Sequence, residues 1–81
     1  MSYEQFYDLC KGVNELNYCQ LTEKEIAINS CDLFLEMEES KVKGTPTKNI
    51  LDLCMDLGME TENPTTENCI EFLENYLLTE L

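Results

Sequence analysis

Apolar residues recur at three- and four-residue spacing in four stretches of the chain, each bounded by its own start or stop signal. The first stretch, residues 2–16, places Tyr3, Phe6, Cys10, Val13 and Leu16 on one helical face. Ser2 is a natural N-cap, and Gln5 three residues later completes a capping box. Gly12 weakens this helix by up to about 1 kcal/mol relative to alanine, and Asn17 and Tyr18 are expected to end it.

The second stretch, residues 22–42, is the longest. Thr22 and Glu25 form another capping box, with Leu21 placed to staple onto Ile26. Ala27, Ile28, Cys31, Phe34 and Leu35 read as its apolar face. Lys41 and Lys43 suit the negative end of the helix dipole, and Gly44 followed by Pro46 stops the helix. The third, residues 47–57, starts at Thr47, carries Ile50, Leu53, Cys54 and Leu57 as its stripe, and ends at Gly58. A polar, turn-rich linker at 59–64 leads to the fourth, residues 65–79, lined by Ile70, Leu73, Tyr76 and Leu77.

No segment alternates strictly enough for a strand, and the linkers are as short as antiparallel helix packing requires. The expected fold is therefore all-α, a small four-helix domain over residues 1–81. A three-helix core with one peripheral helix is the nearest alternative. Eighty-one residues suffice for one domain with a thin core.

Charge changes the picture more than length does. Seventeen Asp and Glu oppose five Lys, with no His and no Arg, for a net charge of −12. Self-repulsion of that size opposes compaction. It argues against direct binding of nucleic-acid phosphates and of anionic membrane surfaces, both of which need Lys and Arg. A basic protein surface is the partner that such a charge favours.

The acids are also ordered. Glu25, Asp32, Glu36 and Glu39 fall at seven-, four- and three-residue intervals on the second helix, and Glu67, Glu71 and Glu74 repeat the pattern on the fourth. Like charges at this spacing cost a helix a few tenths of a kcal/mol per pair, and no interleaved Lys relieves them. Neighbouring carboxylates about 6 Å apart approach the charge spacing along a nucleic-acid strand. These seven acids are the candidate partner-binding residues. Tyr3 and Tyr7, one turn apart, are candidate anchors, because tyrosine offers an apolar body with a polar tip.

Catalysis finds little to work with. Without His there is no base for a Cys or Ser nucleophile, and without Arg no clamp for a phosphoryl group. The glycine patterns of nucleotide-binding loops are missing too, so an enzyme is not expected and no cofactor is implied. The five cysteines, at 10, 19, 31, 54 and 69, show no CxxC spacing for zinc. Cys10, Cys31, Cys54 and Cys69 fall on or beside apolar faces, as small buried residues do. The acids at 56–67 fit a calcium loop poorly, with Thr61 where the loop needs glycine, so no metal site is expected.

Residues 1–12 hold Glu4 and Asp8 and no apolar stretch, so neither a signal peptide nor a membrane span is expected. An odd number of cysteines fits the reducing cytoplasm. In size, charge and helix number the chain is similar to acyl carrier proteins. That resemblance implies a prosthetic group on a serine, but Asn29-Ser30-Cys31 lies inside a helix and lacks the family's Asp-Ser-Leu motif.

The leading expectation is a protein-binding module that occupies a basic surface, such as that of a nucleic-acid-binding protein, as an inhibitor or antagonist. Short length and Lys-only, Asn- and Glu-rich usage point to a phage or plasmid origin. The second reading is a homodimeric assembly protein, joined through a patch of Tyr3, Phe6, Tyr7 and Leu78.

Overall fold

The computed structural model describes residues 1–18 and 20–79. The described residues form four helices: α1 (Tyr3–Leu16), α2 (Glu23–Lys43), α3 (Lys48–Asp56) and α4 (Thr66–Thr79). The described residues contain no strand. The fold is the all-α, four-helix arrangement that the periodicity predicts.

The local signals act as the sequence reads. Both halves of the Ser2–Gln5 and Thr22–Glu25 capping boxes are made. Thr65 and Asn68 exchange the same reciprocal pair at the start of α4, Thr65 N donating to Asn68 Oδ1 at 3.0 Å and Asn68 N to Thr65 Oγ1 at 3.2 Å. Gly44 takes the left-handed conformation at φ 80°, and its N–H closes α2 onto the carbonyl of Ser40. Such a φ is readily open only to glycine. Tyr18 also lies at positive φ, 53°, just beyond the end of α1.

α2 is the hub, packing on each of the other helices, while α1 and α3 flank it without packing on each other. Phe6 and Leu9 of α1, Met37 of α2, Ile50, Leu53 and Cys54 of α3, and Cys69 and Leu73 of α4 share one core. All four helices supply it, which excludes the three-helix alternative. Met59, which the sequence places in a polar linker, is buried in that core, and Pro64 at the end of the same linker is buried as well.

The inner face of α2 departs from the one predicted. Ile26, Ser30, Met37 and Ser40 are buried, whereas Ile28, Cys31 and Leu35 face solvent. Two serines can stand on a core face because each hydroxyl is satisfied by its own helix. Ser30 Oγ donates to the carbonyl of Ile26 at 2.6 Å, and Ser40 Oγ to that of Glu36 at 2.8 Å. On α1, Leu9 is fully buried although it was not placed on the predicted stripe, and Leu16, which was, is exposed.

Ser40 also joins three helix ends. Its Oγ accepts from Thr47 N at 3.0 Å, and its carbonyl accepts from Thr66 Oγ1 at 2.7 Å. The ends of α2, α3 and α4 are thereby tied together beneath the turn at Gly44.

Candidate functional site: two acidic faces and an apolar groove

The four acids of α2 share a side of the helix but not a role. Glu25 is used by the N-cap, its Oε1 accepting from Thr22 N at 3.2 Å and Thr22 Oγ1 at 3.1 Å. Glu39 pairs with Lys43 at 2.8 Å, an exposed pair worth little to stability. Glu36 is half-buried and holds the start of α3: Oε1 accepts from Thr47 Oγ1 and Oε2 from Asn49 Nδ2, both at 2.9 Å. Thr47 therefore caps α3 by position only, with its hydroxyl turned to Glu36 rather than to its own helix. A carboxylate is favourable at this N-terminal end of the α3 dipole. Asp32 alone of the four is exposed with neither a hydrogen bond nor an ion pair among the described residues.

On α4 the picture is simpler. Glu67, Glu71 and Glu74 are all exposed and border one shallow depression together with Ile70 and Asn75. None of the three engages a cation or a donor among the described residues, where the ion pairs are Lys41–Glu38 and Lys43–Glu39. The sequence singled out both rows, and the structure leaves the α4 row as the freer one.

The separation of α1 from α3 opens a groove of about 560 Å³ along α2. Val13, Ile26, Leu33 and Leu53 supply apolar wall, and Asp32 and Glu36 supply charge. No Lys lines it. Hydrophobic spacing does not reveal this groove, because its residues come from three helices and the linker at Leu21, and α2 contributes from both its acidic row (Asp32, Glu36) and its predicted apolar face (Leu35).

Tyr3 and Tyr7 lie side by side on α1 with ring centroids 6.4 Å apart. Tyr3 is exposed and Tyr7 half-buried. The patch proposed for a homodimer is incomplete, because Phe6 is fully buried; only Leu78, at 83% exposure, is strongly exposed. Ser30, the serine that the carrier resemblance needs, is fully buried and offers no accessible hydroxyl.

Cys10, Cys31, Cys54 and Cys69 are free thiols in three environments. Cys31 is exposed, contrary to expectation, because it lies on the side of α2 turned away from Ile26, Met37 and the core. Cys54 and Cys69 are buried against each other across α3 and α4. Burial pushes the Cys54 thiol well up from its ordinary value, and the neighbouring Cys69 adds to the rise. Burial also raises Cys10, partly offset by a hydrogen bond with Ser30. Cys19 lies outside the described residues.

Since the thiolate is the reactive form, iodoacetamide on the native protein should modify Cys31 long before Cys54 or Cys69, which should react only in denaturant. Peptide mapping by mass spectrometry reads the order. Equal labelling of Cys54 and Cys31 in the native state would contradict the packing of α3 on α4.

No three His, Cys, Asp or Glu side chains converge as metal ligands among the described residues. No helix among them is long and apolar enough to cross a membrane. Compared with family models, curated protein sequences and solved structures, the chain finds no match in any of the three.

Proposed function

We propose that the chain is a protein-binding module that engages a basic surface of a protein partner and inhibits it by standing where nucleic acid would bind. The observation that carries this reading is the α4 row. Glu67, Glu71 and Glu74 are exposed together, and no described residue neutralises them. Their mutual repulsion costs the isolated helix a few tenths of a kcal/mol per pair. A basic partner would turn that cost into attraction.

Complementary charge of this kind speeds encounter and sets orientation, while affinity comes from a few apolar or aromatic anchors. Asp32 extends the acidic surface on α2, and Tyr3 with Tyr7 are the candidate anchors on α1. A phage-encoded protein of this type would act in the host cytoplasm.

The test is capture. The immobilised protein is exposed to a lysate of its native host and eluted with a salt gradient into mass spectrometry, beside an unrelated acidic protein of matched charge. The expected result is one basic, nucleic-acid-binding protein, eluting at moderate salt and displaced by its own nucleic acid. Retention no greater than that of the control would defeat the reading.

A further inference from the structure

We propose that the groove between α1 and α3 is a docking site for about three turns of a basic amphipathic helix of a protein partner. The inference rests on the protein-binding reading above and specifies where and how such a partner seats.

Three observations define the occupant. First, the groove wall is mainly apolar, with Val13 from α1, Ile26 and Leu33 from α2, and Leu53 from α3, interrupted by Asn14, Asn29 and Asn49. A surface of this kind takes the apolar face of a helix, read as anchors at i, i+3, i+4 and i+7. Second, the lining runs along α2 from Ile26 to Glu36. At 1.5 Å per residue that is about 15 Å, close to three turns of a second helix. Third, among the described residues of the lining the charged groups are Asp32 and Glu36, in a chain of net charge −12. Lys or Arg flanking the apolar anchors would meet these carboxylates, whereas an acidic helix would be repelled.

Charge also decides against a second copy of this chain. Two molecules at −12 repel each other, and each would bring an acidic groove to the other. Glu36 is pre-set for a cation. Its two hydrogen bonds to the start of α3 fix the carboxylate without neutralising its charge. Asp32 has no described partner to give up. Leu35, exposed on the rim, extends the apolar wall toward solvent.

The test uses three labelled 18-residue peptides: a Leu/Lys sequence with one apolar face, the same composition scrambled so that no face forms, and the amphipathic sequence with Glu for Lys. Anisotropy measures affinity, and amide chemical shifts locate the contact. The amphipathic Leu/Lys peptide should bind at least about tenfold more tightly than either control. Its shifts should centre on Val13, Ile26, Leu33 and Leu53. Leu35→Asp and Asp32→Lys, both at exposed positions, should each weaken it by about tenfold, and circular dichroism checks that both variants are folded.

Equal binding of the scrambled peptide, or shifts confined to α4, would overturn the groove while leaving the general acidic reading intact. A concentration-dependent dimer whose interface shifts map to the groove would overturn it in favour of a second copy. Binding of the amphipathic peptide in the groove, combined with no specific capture from lysate, would remove the proposed nucleic-acid-displacing role and leave the groove standing.

Discussion

Phe6→Ala should destabilise the protein by about 3–5 kcal/mol, the usual range for deleting a buried aromatic side chain. Phe6 is fully buried, stands edge-on to Phe34 with ring centroids 6.4 Å apart, and joins α1 to a core supplied by every other helix. The loss combines the transfer energy of the ring with the cavity left where the neighbours cannot close in. At about 0.05–0.15 kcal/mol per residue, a domain of this size has roughly 4–12 kcal/mol in total. The variant should therefore lie close to its folding threshold. Urea unfolding followed by far-UV circular dichroism measures the loss, with Leu78→Ala, at an 83% exposed position, as a control expected within about 0.5 kcal/mol of the native protein. A loss under about 1 kcal/mol for Phe6→Ala would mean that α1 is not seated on the core as described.

The second large effect concerns association. Converting Glu67, Glu71 and Glu74 together to Lys adds two positive charges at each position and moves the net charge from −12 to −6. Association with the captured partner should slow by about tenfold or more at low salt, and the salt dependence of the rate should flatten. The α4 row is the cleaner target because its reversal breaks no described hydrogen bond or ion pair. Reversal at Glu25 or Glu36 would instead disrupt the N-cap of α2 or the start of α3, confusing binding with folding. Stopped-flow association over a salt series makes the measurement. An unchanged rate would remove the acidic face of α4 from the mechanism.

What was legible in the sequence was what is local. Ser2 with Gln5, Thr22 with Glu25, and Gly44 act within three or four residues, so the helix ends follow directly from the chain. Periodicity misplaces the inner face of α2, because burial there is decided by neighbours that the helix itself does not contain. Ile28 and Leu35 look like core residues and face water, while Ser30 and Ser40 look like surface residues and are buried, their hydroxyls bonded to the preceding turn. Cys31 went wrong with the same rotation of the face.

The candidate site shows the same boundary. Helical spacing puts Glu25, Asp32, Glu36 and Glu39 along one side of α2 and Glu67, Glu71 and Glu74 along one side of α4, and both helices form over these residues. It carried no signal that Glu36 is engaged by Thr47 and Asn49, eleven and thirteen residues further on and in another element. The groove was illegible for a related reason. It exists because α1 and α3 stand apart on α2, a relation between helices that no periodicity within one of them encodes.

Ser40 shows how unevenly this chain can tolerate change. Its hydroxyl must donate to Glu36 O and accept from Thr47 N in a fully enclosed space. Alanine would fit but leave the Thr47 amide without that acceptor; cysteine would accept only weakly; threonine would need room for another methyl; and anything larger would have to force the three helix ends apart. Two residues later, Val42 is 89% exposed, and almost any side chain can replace it without meeting a neighbour. Tight and permissive positions thus alternate along α2 at the pitch of the helix, and two of its three fully enclosed positions, Ser30 and Ser40, carry polar side chains.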